Sequence, residues 1–222
     1  MDKKNKEQVS KGMKLVSRDY EILKEIERWR FCLGRHLKVL AKFSGTRSCD
    51  RRLKILINAG YIERKRILYG IPSVYFLTSK GKLLLGLKSK IEKFRIEQIT
   101  HDIKVLDSAL YIMSTYEVLN NEITTEKQLN SANGFGNRQH NPDFVFLKAD
   151  KTYAVEIELS LKSKTRFETN VKNNYSNYDY QIWIVPKEQK KIIERLENFS
   201  LAYPNIQIIL LEVIDKYVES IK

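Results

Sequence analysis

Two acidic residues, Glu156 and Glu158, interrupt a run of strand-forming residues in the segment AVEIELSL. Side chains alternate along a strand, so both carboxylates are predicted to lie on one face, with Val155 and Ile157 on the other. Two neighbouring carboxylates repel each other unless a cation lies between them. A lysine could fill that place structurally, whereas a divalent metal ion would use the carboxylate oxygens as ligands and could support hydrolysis.

Three residue types near the glutamates could complete such a site. Asp143 follows a proline at the start of the preceding predicted strand, thirteen positions before Glu156. Hard oxygen ligands suit Mg²⁺ or Mn²⁺, which binds few protein carboxylates and keeps several waters. Lys162, or Lys164, would supply a positive charge for a phosphate group. His140 either borders this site or belongs to a polar loop.

The acidic residues lie in a half of the chain where the patterns of strands and helices alternate, which predicts a mixed-sheet α/β fold. A helical region and a loop rich in glycine and asparagine, at residues 128–141, precede the first of these strands. The predicted strands are 143–148, 153–159, 181–185 and 206–213, and the predicted helices are 86–119, 164–176 and 187–202.

Positive charge is concentrated in the other half of the chain. The net charge is +13, and residues 1–98 contain 25 Lys and Arg against 10 Asp and Glu. Residues 99–222 contain 15 against 17. A basic module beside a nearly neutral one predicts that the first module binds a polyanion, with double-stranded DNA as the expected partner. A basic surface that is only solvated is the alternative.

The first half shows the element order of a winged helix-turn-helix. Apolar residues at helical spacing predict a helix from Asp19, and shorter helices follow at 35–42 and 47–58. Two strand-forming runs then flank a turn that contains Gly70 and Pro72. Three helices followed by a hairpin are the pattern expected of a winged helix.

The helix predicted at 47–58 has an apolar and a basic face. Cys49, Leu53 and Leu56 fall on one side, which predicts packing into a small core. The opposite side carries cations at the spacing needed in a major groove, although such a stripe can also be solvated surface. The predicted DNA-binding residues are Arg47, Arg51, Arg52, Lys54 and Asn58 on the helix and Arg64, Lys65 and Arg66 on the hairpin.

These patterns predict a flexible basic tail at 1–16, a winged-helix domain at 17–95 and an α/β domain at 96–222. No apolar run is long enough to span a bilayer, and no secretory signal follows the opening lysines. Cys32 and Cys49 lack the spacing of a metal site or a disulfide. We therefore expect a cytoplasmic protein with no membrane partner.

The Pro-Asp pair, the strand acids Glu156-x-Glu158 and a nearby lysine resemble the motif of the PD-(D/E)xK nuclease superfamily. The wider order RDYEILKEIERWRF, winged helix, HD at His101, PDFVF and AVEIELSLKSKTRF is similar to the replication-relaxation family of plasmids and integrative elements. This similarity covers roughly residues 18–190. It implies an N-terminal winged helix-turn-helix followed by a restriction-endonuclease-like domain, close to mobilisation relaxases with that fold.

The motif usually has a lysine two residues after its last acid, and the chain departs from it. Glu158 stands two residues after Glu156, and Ser160 stands two residues after Glu158, so no lysine occupies that position. Some restriction enzymes place a glutamate at that position and still cleave DNA, so the departure leaves catalysis open. A relaxase could also use a tyrosine to form a covalent bond to DNA. Tyr175, Tyr178 and Tyr180 follow the predicted helix, and packing is the alternative role for all three.

The resemblance implies a metal-dependent endonuclease that nicks or processes origin DNA in plasmid replication or mobilisation. Asp143, Glu156 and Glu158 would bind Mg²⁺ or Mn²⁺, and Lys162 would complete the catalytic set. Other replication or relaxosome proteins are candidate partners. Two non-enzymatic readings remain: an accessory DNA-binding factor of replication or mobilisation, and a winged-helix transcription regulator.

Overall fold

The structure is a computed structural model, and it contains helices, a three-stranded sheet and a five-stranded mixed sheet. The prediction of a mixed α/β chain is therefore confirmed. The chain divides into two compact units, one up to Ile103 and one from Lys104 to Ile221. Most of the predicted tail at 1–16, and residues 89–95 around the predicted domain boundary, lie outside the described residues. Those described are 14–67, 69–70, 72–88, 96–132 and 140–221.

The first unit combines short helices with a small antiparallel sheet whose strand order is β1-β3-β2. Its elements are α1 (Ser17–Arg28), β1 (Cys32–Leu33), α2 (Gly34–Leu40), α3 (Thr46–Asn58), β2 (Ile62–Lys65), β3 (Val74–Leu77) and α4 (Ser79–Leu84). Helix α5 (Ile96–Thr115) starts in this unit and continues into the second.

Apolar residues at helical spacing bury one face of each main helix of the first unit. Helix α1 buries Ile22, Leu23 and Ile26 completely. Helix α3 buries Leu53 and Leu56, together with Cys49, so the predicted division of this helix into two faces is confirmed. A further cluster joins the sheet to the start of α5, and its members are Phe31, Leu33, Val74, Phe76, Ile99 and Ile103.

The end of α3 is fixed to the start of α4 by one threonine and two glycines. Gly60 has φ +77°, a left-handed conformation that glycine adopts without strain and that ends α3. Thr78 donates its hydroxyl to the Gly60 carbonyl at 2.6 Å and accepts from the Gly81 amide at 3.1 Å. A Cβ at Gly81 would lie 2.2 Å from the Tyr61 carbonyl oxygen, so this close approach requires glycine. These contacts fix the base of the β2–β3 hairpin against α3.

The second unit is built on a five-stranded sheet of order β4-β5-β6-β7-β8, antiparallel from β4 to β6 and parallel from β6 to β8. Its strands are β4 (Ile123–Thr125), β5 (Phe144–Lys148), β6 (Lys151–Ile157), β7 (Tyr180–Val185) and β8 (Ile206–Leu210). Its further helices are α6 (Glu126–Ala132), α7 (Lys164–Asn177), α8 (Lys190–Ser200) and α9 (Leu211–Ser220).

Helix α7 is the crossover that two parallel neighbours, β6 and β7, require. The register pairs Glu156 with Trp183, so both side chains lie on the same face of the sheet. Helices α7 and α8 cover this face through a fully buried core of Phe167, Val171, Trp183, Val185, Ile192 and Leu196. Helix α7 therefore runs back over the face that carries Glu156.

Several segments differ from the sequence predictions. The helix predicted at 86–119 is observed at Ile96–Thr115, and residues 86–88 are not helical. The predicted strand 206–213 ends at Leu210, and α9 begins at Leu211 with Ile214 and Val218 buried at helical spacing. Periodicity cannot separate a short buried strand from the first turn of a helix when both are apolar. Strand β4 was not predicted, and α6 includes residues 128–132, which were predicted as loop.

Candidate functional site

Glu156 lies near the end of β6 with only 3% of its surface exposed. Its Oε1 accepts a hydrogen bond from Asn174 Nδ2 at 3.0 Å. The same oxygen lies 2.5 Å from His140 Nε2, and the proton of this contact depends on the ring tautomer. A buried carboxyl needs such partners because burial removes it from water. The side chain is thereby fixed between α7 and the segment that leads into β5.

Glu158 lies one residue beyond β6 and is also buried. Its amide donates to the Ile184 carbonyl at 3.0 Å, which extends the pairing with β7. Burial raises the pKa of the Glu158 carboxyl, the ammonium of Lys162 at 2.7 Å from Oε2 opposes this, and the negative charges of Glu156 and Asp143 raise it further. Glu156 and Asp143 are thus both close enough to Glu158 to act on its carboxyl group.

Asp143 immediately precedes β5, and its Oδ2 accepts from the Ile157 amide at 2.7 Å. This bond ties the start of β5 to the end of β6, where the acids of both strands meet. Each of the three acids therefore has a protein partner of its own. Within the described ranges, no group of three or more His, Cys, Asp or Glu side chains is arranged to hold a metal ion.

The donor chemistry of the cluster nevertheless fits a hard divalent cation. Carboxylate and amide oxygens are the ligands that Mg²⁺ and Mn²⁺ prefer. Asn174 Oδ1 is buried and has no hydrogen-bond partner among the described residues. Lys162 already forms an ion pair with Glu158. Asp143 and Glu156 are therefore the acids that could bind a cation without displacing Lys162.

The sequence analysis missed the polar residues of α7. Asn170 and Asn174 are 3% and 1% exposed, and they lie four residues apart on the buried side of the helix. Two asparagines at helical spacing among buried apolar residues, such as Phe167 and Val171, are the signal that could have revealed them. Buried amides at this spacing indicate a polar site under the helix.

The three tyrosines considered from the sequence have different surroundings. Tyr178 follows α7, and burial together with the negative charge of Glu156 raises its pKa. Tyr175 packs edge-on against Tyr203, with ring centroids 5.0 Å apart. Tyr180 stacks on Tyr153 at 4.8 Å. Tyr175 and Tyr180 therefore pack against other aromatic rings. Of the three tyrosines, Tyr178 is the one that is affected by an acid of the cluster, Glu156.

The first unit carries a basic surface on α3 and the following hairpin. Arg47, Arg51, Lys54 and Asn58 are all exposed, on the side of α3 opposite its buried residues. The hairpin adds three exposed cations, and one of them, Lys65, forms an ion pair of 2.7 Å with Glu63. The other two cations are Arg64 and Arg66. The guanidinium of Arg64 lies over the ring of Tyr75, and that of Arg66 lies over the ring of Tyr69.

Arg52 is placed differently from the other predicted DNA-binding residues. Its guanidinium forms two contacts with the carboxylate of Asp19 in α1, one of them 2.6 Å between Nε and Oδ1. Asp19 is fully buried and also accepts from the Val16 amide at 2.8 Å. Arg52 therefore joins α3 to α1, and whether it also contacts DNA stays a prediction.

Comparison of the chain with protein-family models, with curated proteins and with solved structures finds no match. None of the helices in the described ranges has the length and apolar character of a membrane span. The basic surface of the first unit, the acidic cluster of the second unit and the resemblance of the motifs are therefore the observations that bear on function.

The adjacent residues Arg51 and Arg52 allow a direct test of the ion pair. We expect Arg52→Ala to lower the free energy of unfolding by about 3 kcal/mol, because it leaves the buried carboxylate of Asp19 without its cation. Arg51→Ala removes the same charge from the exposed face and should change stability by less than about 0.5 kcal/mol. Urea unfolding followed by circular dichroism measures both. Equal, small losses for the two variants would show that the pair is dispensable.

Proposed function

We propose that the protein is a DNA-processing factor of a mobile element that binds duplex DNA with its first unit and cleaves one strand with its second. The cleavage would depend on Mg²⁺ or Mn²⁺ and would act on origin DNA in replication or mobilisation. The observation that carries the enzymatic part is the buried Glu156, whose charge acts together with that of Asp143 on Glu158.

The first unit supports the DNA-binding part as a winged helix-turn-helix. Helices α2 and α3 followed by the β2–β3 hairpin have the element order of that fold. Helix α3 would lie in the major groove with Arg47, Arg51 and Lys54 toward the DNA, because its other face is buried. Arg64 and Arg66 would contact the adjacent backbone from the hairpin.

The second unit supports the nuclease part through the position of its acids. In a PD-(D/E)xK-like site, the aspartate of the motif would lie just before one strand. The following acids would lie at the end of the neighbouring strand. Asp143 before β5 and Glu156 near the end of β6 have this arrangement in a mixed sheet. The resemblance in sequence and the arrangement in space therefore point to the same residues.

Asp143 and Glu156 would hold the divalent cation, and the ion would supply a Lewis acid that lowers the pKa of a bound water. In the overall hydrolysis a water oxygen bonds to phosphorus, the phosphorus–oxygen ester bond breaks, and the departing sugar oxygen gains a proton. Lys162 is 26% exposed and would offset the charge on the attacked phosphate. The pKa of Glu158 is raised, and this residue would either orient the attacking water or accept a proton from it.

A non-catalytic accessory factor is the second candidate function. Each of the three acids already has a protein partner, and no lysine stands two residues after Glu156 or Glu158. In that case the second unit would retain a nuclease-like fold for binding alone, and DNA binding through the first unit would be unchanged.

The basic face of α3 predicts a salt-dependent loss of DNA affinity on mutation. The double variant Arg51→Ala/Lys54→Ala should weaken duplex binding and reduce the slope of log K against log salt by about 2, because each lost phosphate contact removes about 0.9. The matched control Lys24→Ala/Lys88→Ala removes two exposed lysines elsewhere in the same unit. Fluorescence anisotropy at several salt concentrations measures both. If the two double variants show the same affinity and the same salt dependence, the basic face of α3 is only solvated surface.

The acidic cluster predicts nicking of supercoiled origin plasmid with Mg²⁺ or Mn²⁺. Asp143→Asn and Glu156→Gln should abolish nicking, since each replaces a carboxylate ligand by an amide of the same shape. Both variants keep an oxygen that can accept the existing hydrogen bonds, so the fold and DNA binding should be retained. Glu188→Gln, an exposed acid of the same unit, is the control and should nick like the wild type.

Gel electrophoresis of the plasmid separates the candidate functions. A wild-type protein that binds origin fragments but leaves the plasmid supercoiled with either metal would favour the accessory factor. Nicking that persists in Asp143→Asn and Glu156→Gln would show that the acids are structural and that the active site lies elsewhere.

A further inference from the structure

Helix α7 places two buried amide side chains over the acidic face of the sheet. Asn170 and Asn174 are nearly inaccessible, and in each of them one amide atom lacks a hydrogen-bond partner within the described residues: Nδ2 of Asn170 and Oδ1 of Asn174. A buried polar atom without a partner costs free energy, and an apolar side chain would avoid that cost. Such atoms in a folded protein indicate a place for a ligand or a water.

The orientation of Asn174 is set by Glu156. Its Nδ2 donates to Glu156 Oε1 at 3.0 Å, because a carboxylate oxygen that accepts here requires the amide nitrogen and not the amide oxygen. Oδ1 is consequently the atom left unpaired, on the same amide group whose nitrogen contacts Glu156. An amide oxygen is a neutral hard donor of the kind that Mg²⁺ and Mn²⁺ accept as a ligand.

A neutral ligand suits the electrostatics of this cluster. Asp143 accepts from the amide of Ile157, the residue between Glu156 and Glu158, so a fourth acid would add to the repulsion among three neighbouring carboxylates. The described His, Cys, Asp and Glu residues alone do not form a set of three that could hold an ion. An oxygen from Asn174 would add a donor without adding charge.

We propose that Asn174 is a direct ligand of the divalent cation, which it would bind through Oδ1 together with Glu156 and Asp143. This inference rests on the proposed metal-dependent function of the same site. It assigns to α7 a role in cation binding that the strand motif does not contain, and it makes Asn174 more than a hydrogen-bond donor that orients Glu156.

The test is a Mn²⁺ titration of the purified full chain, with free Mn²⁺ measured by electron paramagnetic resonance. Asn174→Leu should weaken Mn²⁺ binding by at least about tenfold, the loss typical of a damaged metal site. Asn174→Asp keeps the oxygen and adds charge, so it should bind Mn²⁺ at least as tightly as the wild type. Asn177→Leu is the control, because Asn177 is an exposed asparagine of the same helix, and it should bind like the wild type.

Asn174→Asp separates a ligand from a positioning residue, because it loses the amide hydrogen that Glu156 accepts. If Asn174 only orients Glu156, Asn174→Asp should bind Mn²⁺ as weakly as Asn174→Leu, and that result would overturn the inference. Unchanged binding by Asn174→Leu would also overturn it. Circular dichroism checks the fold of each variant, and Asn174→Asp alone decides the question if the leucine variant does not fold.

The same titration distinguishes this inference from the proposed function. Wild-type protein that binds no Mn²⁺ would refute the cation site itself, and the role of Asn174 with it. Wild-type binding that is lost in Glu156→Gln but unaffected in Asn174→Leu would leave the cation site in place and refute only the role of Asn174.

Discussion

The burial of the Glu156 carboxyl group is the constraint on which the second unit depends. A carboxyl removed from water must be compensated by hydrogen bonds or a cation, and Glu156 receives one bond from α7 and one contact from the segment before β5. Those contacts link α7 and the segment before β5 to the end of β6. The energetic cost of burying an acid here is reasonable if the acid binds an ion, because an apolar residue would pack there without that cost.

The first unit also contains a buried acid with a partner, and there the pair joins two helices. The buried carboxylate of Asp19 pairs with Arg52, and this contact holds α3 against α1. Because Arg52 is used in packing, the exposed cations on the same helix, such as Arg51 and Lys54, are presented in a fixed orientation. In both units, therefore, a buried acid positions the surface or cluster to which a function is assigned.

Much of the fold and part of the site could be predicted from the sequence. The helical spacing of Leu53 and Leu56 gave the correct buried face of α3, and the strand that carries Glu156 was also predicted. The contacts of Arg52 and Asn174 could not be predicted, because each depends on a partner distant in sequence that only the packing of helices brings near. The end of β8 was missed because an apolar strand runs directly into an apolar helical turn.

Binding of a divalent cation at Glu156 is the proposal on which the function of the second unit depends. The most direct measurement is anomalous X-ray diffraction from crystals of the full chain soaked in Mn²⁺. If the cation binds as proposed, an anomalous peak is expected at bonding distance from the Glu156 and Asp143 carboxylates. A map with no peak at these residues, in which His140 and Asn174 still contact the Glu156 carboxyl group, would contradict cation binding at this site.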